Sequence, residues 1–591
     1  MRQWSLLLAL AMLLPLAAGC LTYPTTVVQS SGVAGPAYDT SRGWSMPLSP
    51  ALYGILDAVK EKVPAADGTP LAIGVFLPDM EGCDWAAGNL SAECRLPTVM
   101  DAGPYYGPNV DKDKYRPPTI EWLVPRGYAV IQMSLRGTGE SGGCLEFKAP
   151  QDVEDVSAVI SWIAQQPWSN GNVGMTGRSY DGTSAWAGAA SGNPHLKTIV
   201  PISGAVNGPF LYYKNGTSEL RGAINGATYF PTYATDAKPP TEWTERLCEG
   251  ALVDVHRESA YSSLTGDASS EYWQSRDLRQ QILENYNGSV WVIHGLHDWN
   301  VNPSQAVPFV RELQAAGIET KAWFGVWEHH YPDRVDEHRN VRWDWAERMV
   351  QWFDKYLRGT PGIDTGPAVE VEDNLFVWRG EATYPPADAT WLDFEASGDG
   401  ALAPAGNGTP GSFTLVGGTT AVANQAGPGE APSLGDLGGL GDSVTFRSEP
   451  LARALRFAGL PQFHVTATPS TPVGGHLFAE LFDVFPDGRT MRLGWGAISL
   501  HHYAGGNGEP ETLTPGVPVV ARMEFEPMDA LVAEGHRLRL VVHRDGVEDI
   551  LPSPSLEPVE LSLGGGASVL RLPLIERPMV LPTYVAPGLA P

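Results

Sequence analysis

The chain has 591 residues, too many for a single hydrophobic core, and its 43% hydrophobic and 18% charged residues suit a folded protein. Forty lysines and arginines stand against 67 aspartates and glutamates, a net charge of −27. That charge repels phosphate backbones and argues against nucleic acid as a partner; solubility or adaptation to salt accounts for it.

Residues 1–20, "MRQWSLLLALAMLLPLAAGC", carry one positive charge, an apolar run too short to span a membrane comfortably, and small residues before Cys20. This reads as an export signal. "LAAGC" is similar to a bacterial or archaeal lipobox, although Ala17 departs from its usual leucine. Lipidation of Cys20 would attach the exported protein to a membrane, and plain secretion is the alternative. The remaining cysteines, Cys83, Cys94, Cys144 and Cys248, form an even set for an oxidising compartment. Cys83 with Cys94 is the nearest pair, but the connectivity stays open. No C-x-x-C or H-E-x-x-H occurs, so neither a metal nor a cofactor is expected.

From about residue 70, β-rich runs alternate with helical ones: "LAIGVFLPD", "PTVMDAG", "YAVIQMSLRG", the helical "DVEDVSAVISWIAQQP", then "VGMTG" and "KTIVPISG". Such alternation predicts a mainly parallel sheet covered on both faces. Between about 205 and 285 the strand signal stops, which suggests a helical cap over the strand ends, where open α/β sheets bind ligands. The alternation resumes with "SVWVIHG", a helix in "SQAVPFVRELQAAG", the strand "KAWFGVW", and a helix in "RWDWAERMVQWFDKYLRG" whose Trp345, Met349, Trp352 and Tyr356 form one packing face. After "TYPPADAT" a Gly-, Ala- and Pro-rich tract runs to about 442, followed by strands without helices, from "LRFAGLPQFHVTATP" to "ASVLRLPLIE". Many strands divided by Gly and Pro turns suggest a sandwich or jelly roll.

"VGMTGRSYDGTSAW" places Ser179 between a strand and a helix, flanked by Gly177 and Gly182. The spacing G-x-S-x-x-G is one residue longer than the G-x-S-x-G elbow that lifts a serine above an α/β-hydrolase sheet, and serine is also common at helix starts. A nucleophile in this fold requires an acid and then a histidine at later strand ends. "LHDWNVNP" supplies Asp298 after "SVWVIHG", and "EHHYP" supplies His329 and His330 after "KAWFGVW".

"GRSYDG", "HGLHDWNV", "GVWEHHYP", "RGTGESGG" and "YWQSRD" together resemble the X-Pro dipeptidyl-peptidase and cocaine-esterase family of serine hydrolases, which includes glutaryl acylases and α-amino-acid ester hydrolases. The resemblance implies an α/β-hydrolase domain over 21–380 with a helical cap at 205–285 and a C-terminal jelly-roll domain over 385–591. Within the family the elbow reads G-x-S-Y-x-G, which this chain matches. It implies Ser179 as nucleophile, Asp298 as the acid and His329 as the base, aligned through a G-P-W-x-H pattern in which Val326 replaces the proline. His330 remains the rival base. The oxyanion donors implied are the Tyr180 backbone N–H and the Tyr105 hydroxyl of "GPYYG", with Tyr106 an alternative to Tyr105. Arg136 takes a structural role, in a loop where Ser134 stands in place of a common aspartate.

The expected substrate is a small peptide or ester, with Xaa-Pro release favoured over esterase or acylase chemistry. Cap carboxylates such as Glu219, Glu242, Glu245 and Glu249 could meet a substrate ammonium but read more simply as solvated surface charges. Family members often self-associate, so a homo-oligomer is in view. The reading from another class is an inert, carbohydrate-binding surface lipoprotein in which only the jelly roll acts. Against it, an inert domain has no need for serine, aspartate and histidine at three successive strand ends.

Overall fold

The computed structural model describes residues 48–106, 118–219, 268–333, 342–418, 439–546 and 555–577, apart from isolated positions, with a few further residues between these ranges. Residues 1–20 with Cys20, and most of the expected cap including Glu242, Glu245, Glu249 and Cys248, lie outside the described residues.

Ten strands form the first sheet: β1 (Val59–Pro64), β2 (Pro70–Phe76), β3 (Leu96–Gly103), β4 (Ala129–Ser134), β5 (Ser169–Arg178), β6 (Leu196–Ile202), β7 (Ser289–Gly295), β8 (Thr320–Gly325), β9 (Val369–Glu372) and β10 (Trp378–Glu381). Their spatial order is β10-β9-β8-β7-β6-β5-β3-β4-β2-β1. Strands β4 to β9 with β3 are parallel, and β1, β2 and β10 run antiparallel to their neighbours. The winding reverses between β3 and β5, so the ends of these two strands open the crevice in which doubly wound sheets bind ligands.

Side chains alternate between the two faces, as the period of two requires. On β7, Val290 and Val292 join one core, and Trp291 and Ile293 the other. The first core is covered by helices α1 (Pro150–Ala164) and α2 (Tyr180–Ala190), the second by α3 (Trp345–Arg358), whose Trp345, Met349 and Trp352 are fully buried. Tyr356 on the same helix is only half-buried and donates its hydroxyl to Glu319. "SQAVPFVRELQAAG" forms two short helices, Pro303–Ala306 and Phe309–Ala315, because Pro308 cannot continue the first.

The C-terminal region folds as one nine-stranded and one five-stranded antiparallel sheet around a separate core. Phe463, Val465 and Ala467 meet it from one sheet, and Leu477, Ala479 and Leu481 from the other. His501 and His502 lie in a 3-10 turn, Leu500–His502, after the strand Thr490–Ser499. Two sequence expectations are corrected. Within the region read as strand-free, Tyr213–Lys214 and Thr217–Ser218 form a small hairpin. Glu219, read as a surface charge, is fully buried and bridges to Ile550 in the C-terminal region.

Candidate active site

Ser179 follows β5 directly, with φ 68° and ψ −122°, a conformation that costs a non-glycine residue about 1–3 kcal/mol. It also differs from the β-region backbone of an ordinary N-cap, and among the described residues the Ser179 hydroxyl makes no capping bond. The turn is held by its backbone: Ser179 N–H donates to Ile202 O at 2.9 Å, and Thr183 N–H to Ser179 O at 3.0 Å. Gly182 is required by close approach, since a Cβ there would lie 2.8 Å from Ile202 O and 2.9 Å from Gly204 Cα.

A polar network fixes the residue after the serine. The Tyr180 hydroxyl accepts the Lys148 N–H at 2.6 Å and donates to Asp152 Oδ2 at 2.9 Å, while Lys148 Nζ donates to Thr183 Oγ1 at 2.8 Å. Burial pushes the Lys148 ammonium down, and Asp152 up, to about 7. With its side chain so held, the Tyr180 N–H is fixed at the first turn of α2.

Asp298 and His329 stand on loops after neighbouring strands β7 and β8. These loops are knitted by Leu296 N–H to Gly325 O at 2.8 Å and His297 N–H to Trp327 O at 3.2 Å. His329 Nδ1 lies 2.8 Å from Asp298 Oδ2, so it is His329 of the two adjacent histidines that pairs with the acid. Asp298 Oδ1 accepts the N–H groups of Asn300 at 2.9 Å and Val301 at 2.8 Å. Burial alone would raise the Asp298 carboxyl; the His329 charge and these hydrogen bonds outweigh it and hold the group well below the usual carboxylate range. Arg178, next to Ser179, donates from Nη1 to the His329 carbonyl at 3.2 Å and so ties the β5 and β8 loops together.

Val326 has a local reason to replace the family proline. Its N–H donates to Glu372 Oε2 at 2.9 Å, a bond proline could not make, and burial pushes that carboxyl up to about 8. Tyr105 and Tyr106 follow β3, across the crevice. The Tyr106 hydroxyl is committed to Asp181 Oδ2 at 3.0 Å inside the core, whereas Tyr105 is only half-buried. Arg136 binds Asp155 and Asp67, each at 2.7 Å, in keeping with a structural role. The structure also pairs Cys83 with Cys94, and Cys144 is disulfide-bonded as well.

A doubly wound sheet with a strained serine turn after one strand and a histidine–carboxylate pair on the loops after two others is the arrangement of an α/β hydrolase. Residues 67–331 match the family described as X-Pro dipeptidyl-peptidase (S15 family), and residues 361–557 the X-Pro dipeptidyl-peptidase C-terminal non-catalytic domain. The chain belongs to the X-Pro dipeptidyl-peptidase (S15) family. It is 29% identical over 564 residues to a provisionally named Xaa-Pro dipeptidyl-peptidase of Streptomyces avermitilis, covering 81% of this chain and 78% of that one. Bacillus relatives are matched over 45% of their length. A provisionally named serine esterase of Mycobacterium tuberculosis is 25% identical over 598 residues, covering 80% of this chain and 88% of that one. The solved CocE/NonD family hydrolase of Staphylococcus aureus shares the fold, with a TM-score of 0.68 at 17% identity over 90% of this chain and 99% of that one.

Proposed function

We propose that this protein is an exported serine hydrolase that releases Xaa-Pro dipeptides through an acyl-enzyme formed on Ser179. The observation that carries this reading is Ser179 itself, strained at the end of β5 without a capping role, on a turn joined by Arg178 to the loop of the His329–Asp298 pair. Ser179 Oγ attacks the scissile carbonyl as His329 Nε2 takes its proton. Asp298 holds the Nδ1–H tautomer and stabilises the imidazolium, and the proton then passes to the leaving amine. The Tyr180 N–H and the Tyr105 hydroxyl receive the oxyanion. Water and the same histidine release the acyl group.

The choice of an Xaa-Pro substrate rests on two matches in series, catalytic and C-terminal, to families both described as X-Pro dipeptidyl-peptidase. A second reading, an esterase or acylase on the same machinery, is favoured by the likeness to the mycobacterial esterase over four-fifths of the chain. Export and lipid attachment through Cys20 complete the proposal, supported by the N-terminal sequence.

Steady-state hydrolysis of alanyl-prolyl p-nitroanilide and p-nitrophenyl butyrate, by wild type and Ser179→Ala, separates the readings. Anilide turnover lost in the variant supports the peptidase. Butyrate turnover alone, lost in the variant, supports the esterase, and turnover that survives the substitution contradicts both.

A further inference from the structure

Two carboxylic acids meet beneath the Ser179 turn from different elements: Asp101 from β3 and Asp181 from the first turn of α2. They are 1% and 6% exposed. Glycines make their room. A Cβ at Gly177 would lie 2.6 Å from Asp101 Oδ1 and 2.4 Å from Asp181 Cβ, and one at Gly103 would lie 1.5 Å from Asp181 Oδ1.

Asp181 Oδ2 accepts the Tyr106 hydroxyl at 3.0 Å. Both Asp101 oxygens and Asp181 Oδ1 are buried without an ordinary donor among the described residues. With a proton on one of them, one carboxyl can donate to the other and satisfy these buried atoms. The titratable and charged groups acting on the pair are Tyr106 on the β3 loop, Arg178 at the end of β5, and Tyr331 beyond His329, itself influenced by Asp333. Arg178 lies 5.1 Å from the Tyr331 ring centre and also holds the His329 carbonyl. Burial raises both acids, and the charge of Asp101 raises Asp181 further.

On the reading of this chain as a hydrolase, we propose that Asp101 and Asp181 share a proton as a buried acid pair that positions the Ser179 turn and, through Arg178, the His329 loop. Loss of that proton to solvent sets two negative charges against each other under the turn, loosens it, and lowers kcat on the alkaline side. Neither acid touches the substrate, so both are positioning residues. The sign follows from the raised acids: the pair's stabilisation is fullest at acidic pH and fades as pH rises above the usual carboxylate range.

The test measures kcat and KM from about pH 6 to about pH 10 in wild type and Asp101→Asn, with whichever of alanyl-prolyl p-nitroanilide and p-nitrophenyl butyrate the wild type turns over, and infrared spectra of both proteins. An amide keeps the shape and can donate to Asp181 but holds no shared proton. The expected result is a wild-type alkaline fall in kcat of about tenfold or more at steady KM, absent from Asp101→Asn. A protonated-carboxyl band should disappear from the wild type over that same pH range and be missing from the variant. Asp181→Asn replaces Asp101→Asn if the latter does not fold, and the wild-type infrared titration stands without either. A wild type with no such band, or an alkaline fall unchanged in the variants, overturns the proposal. A wild type that hydrolyses nothing overturns the hydrolase reading, while the band decides separately whether the pair shares a proton.

Discussion

His329 Nδ1 and Asp298 Oδ2 lie 2.8 Å apart although 31 residues separate them in the chain, because β7 and β8 are parallel neighbours whose C-terminal loops leave the sheet side by side. The acid fixes which imidazole nitrogen carries the proton. Asp298→Asn should therefore lower kcat by about 10⁴-fold with little change in KM and a retained fold. Its carboxyl is depressed in the folded state, so it contributes stability above the usual carboxylate pKa and loses it as pH falls below that range. Acid unfolding followed by circular dichroism should show a smaller loss of stability in the variant than in wild type over that interval.

The two adjacent tyrosines after β3 should separate cleanly. Tyr105→Phe is expected to lower kcat by about 10²–10³-fold without moving the unfolding midpoint, as removal of an oxyanion donor does. Tyr106→Phe leaves Asp181 Oδ2 without its donor and should cost about 1–3 kcal/mol in chemical denaturation. Reversal of these two outcomes would exchange the roles.

Val326→Pro restores the residue usual in the family and should nevertheless destabilise this chain. It removes the donor to buried Glu372, a loss of about 1–3 kcal/mol measurable by urea unfolding. Because Val326 lies three residues before His329, kcat should fall as well.

The catalytic sheet and the jelly roll are joined by buried charge. Arg456 binds Glu381 of β10 at 2.8 Å and Asp529 at 2.5 Å, all within the interior. Arg456→Ala strands buried Asp529, while Glu381 keeps Arg577, and should cost about 3–5 kcal/mol, seen in calorimetry as a lowered Tm and a split between the two domains' transitions.

The sheet alternation, the jelly-roll character and the strand-end positions of Ser179, Asp298 and His329 were legible because each rests on a local period or a short motif. Strands β9 and β10, the last two on that side of the sheet, were not, since Val369–Glu372 reads as alternating apolar and acidic residues. Its Glu370 is buried with Lys321, at 2.9 Å, and the Trp323 indole meeting it from β8, and with Arg342 at 3.5 Å. Glu219 read as a surface charge for the same reason: what buries it comes from the far end of the chain. The Asp101–Asp181 pair joins residues 80 positions apart, and no local pattern announces such a meeting.

The most direct measurement is labelling of the intact protein with a fluorophosphonate, followed by mass spectrometry of the proteolysed adduct. The account predicts one adduct, on the peptide holding Ser179, formed at a rate sharply reduced in His329→Ala. An adduct on another serine, or none from a folded protein, would contradict it.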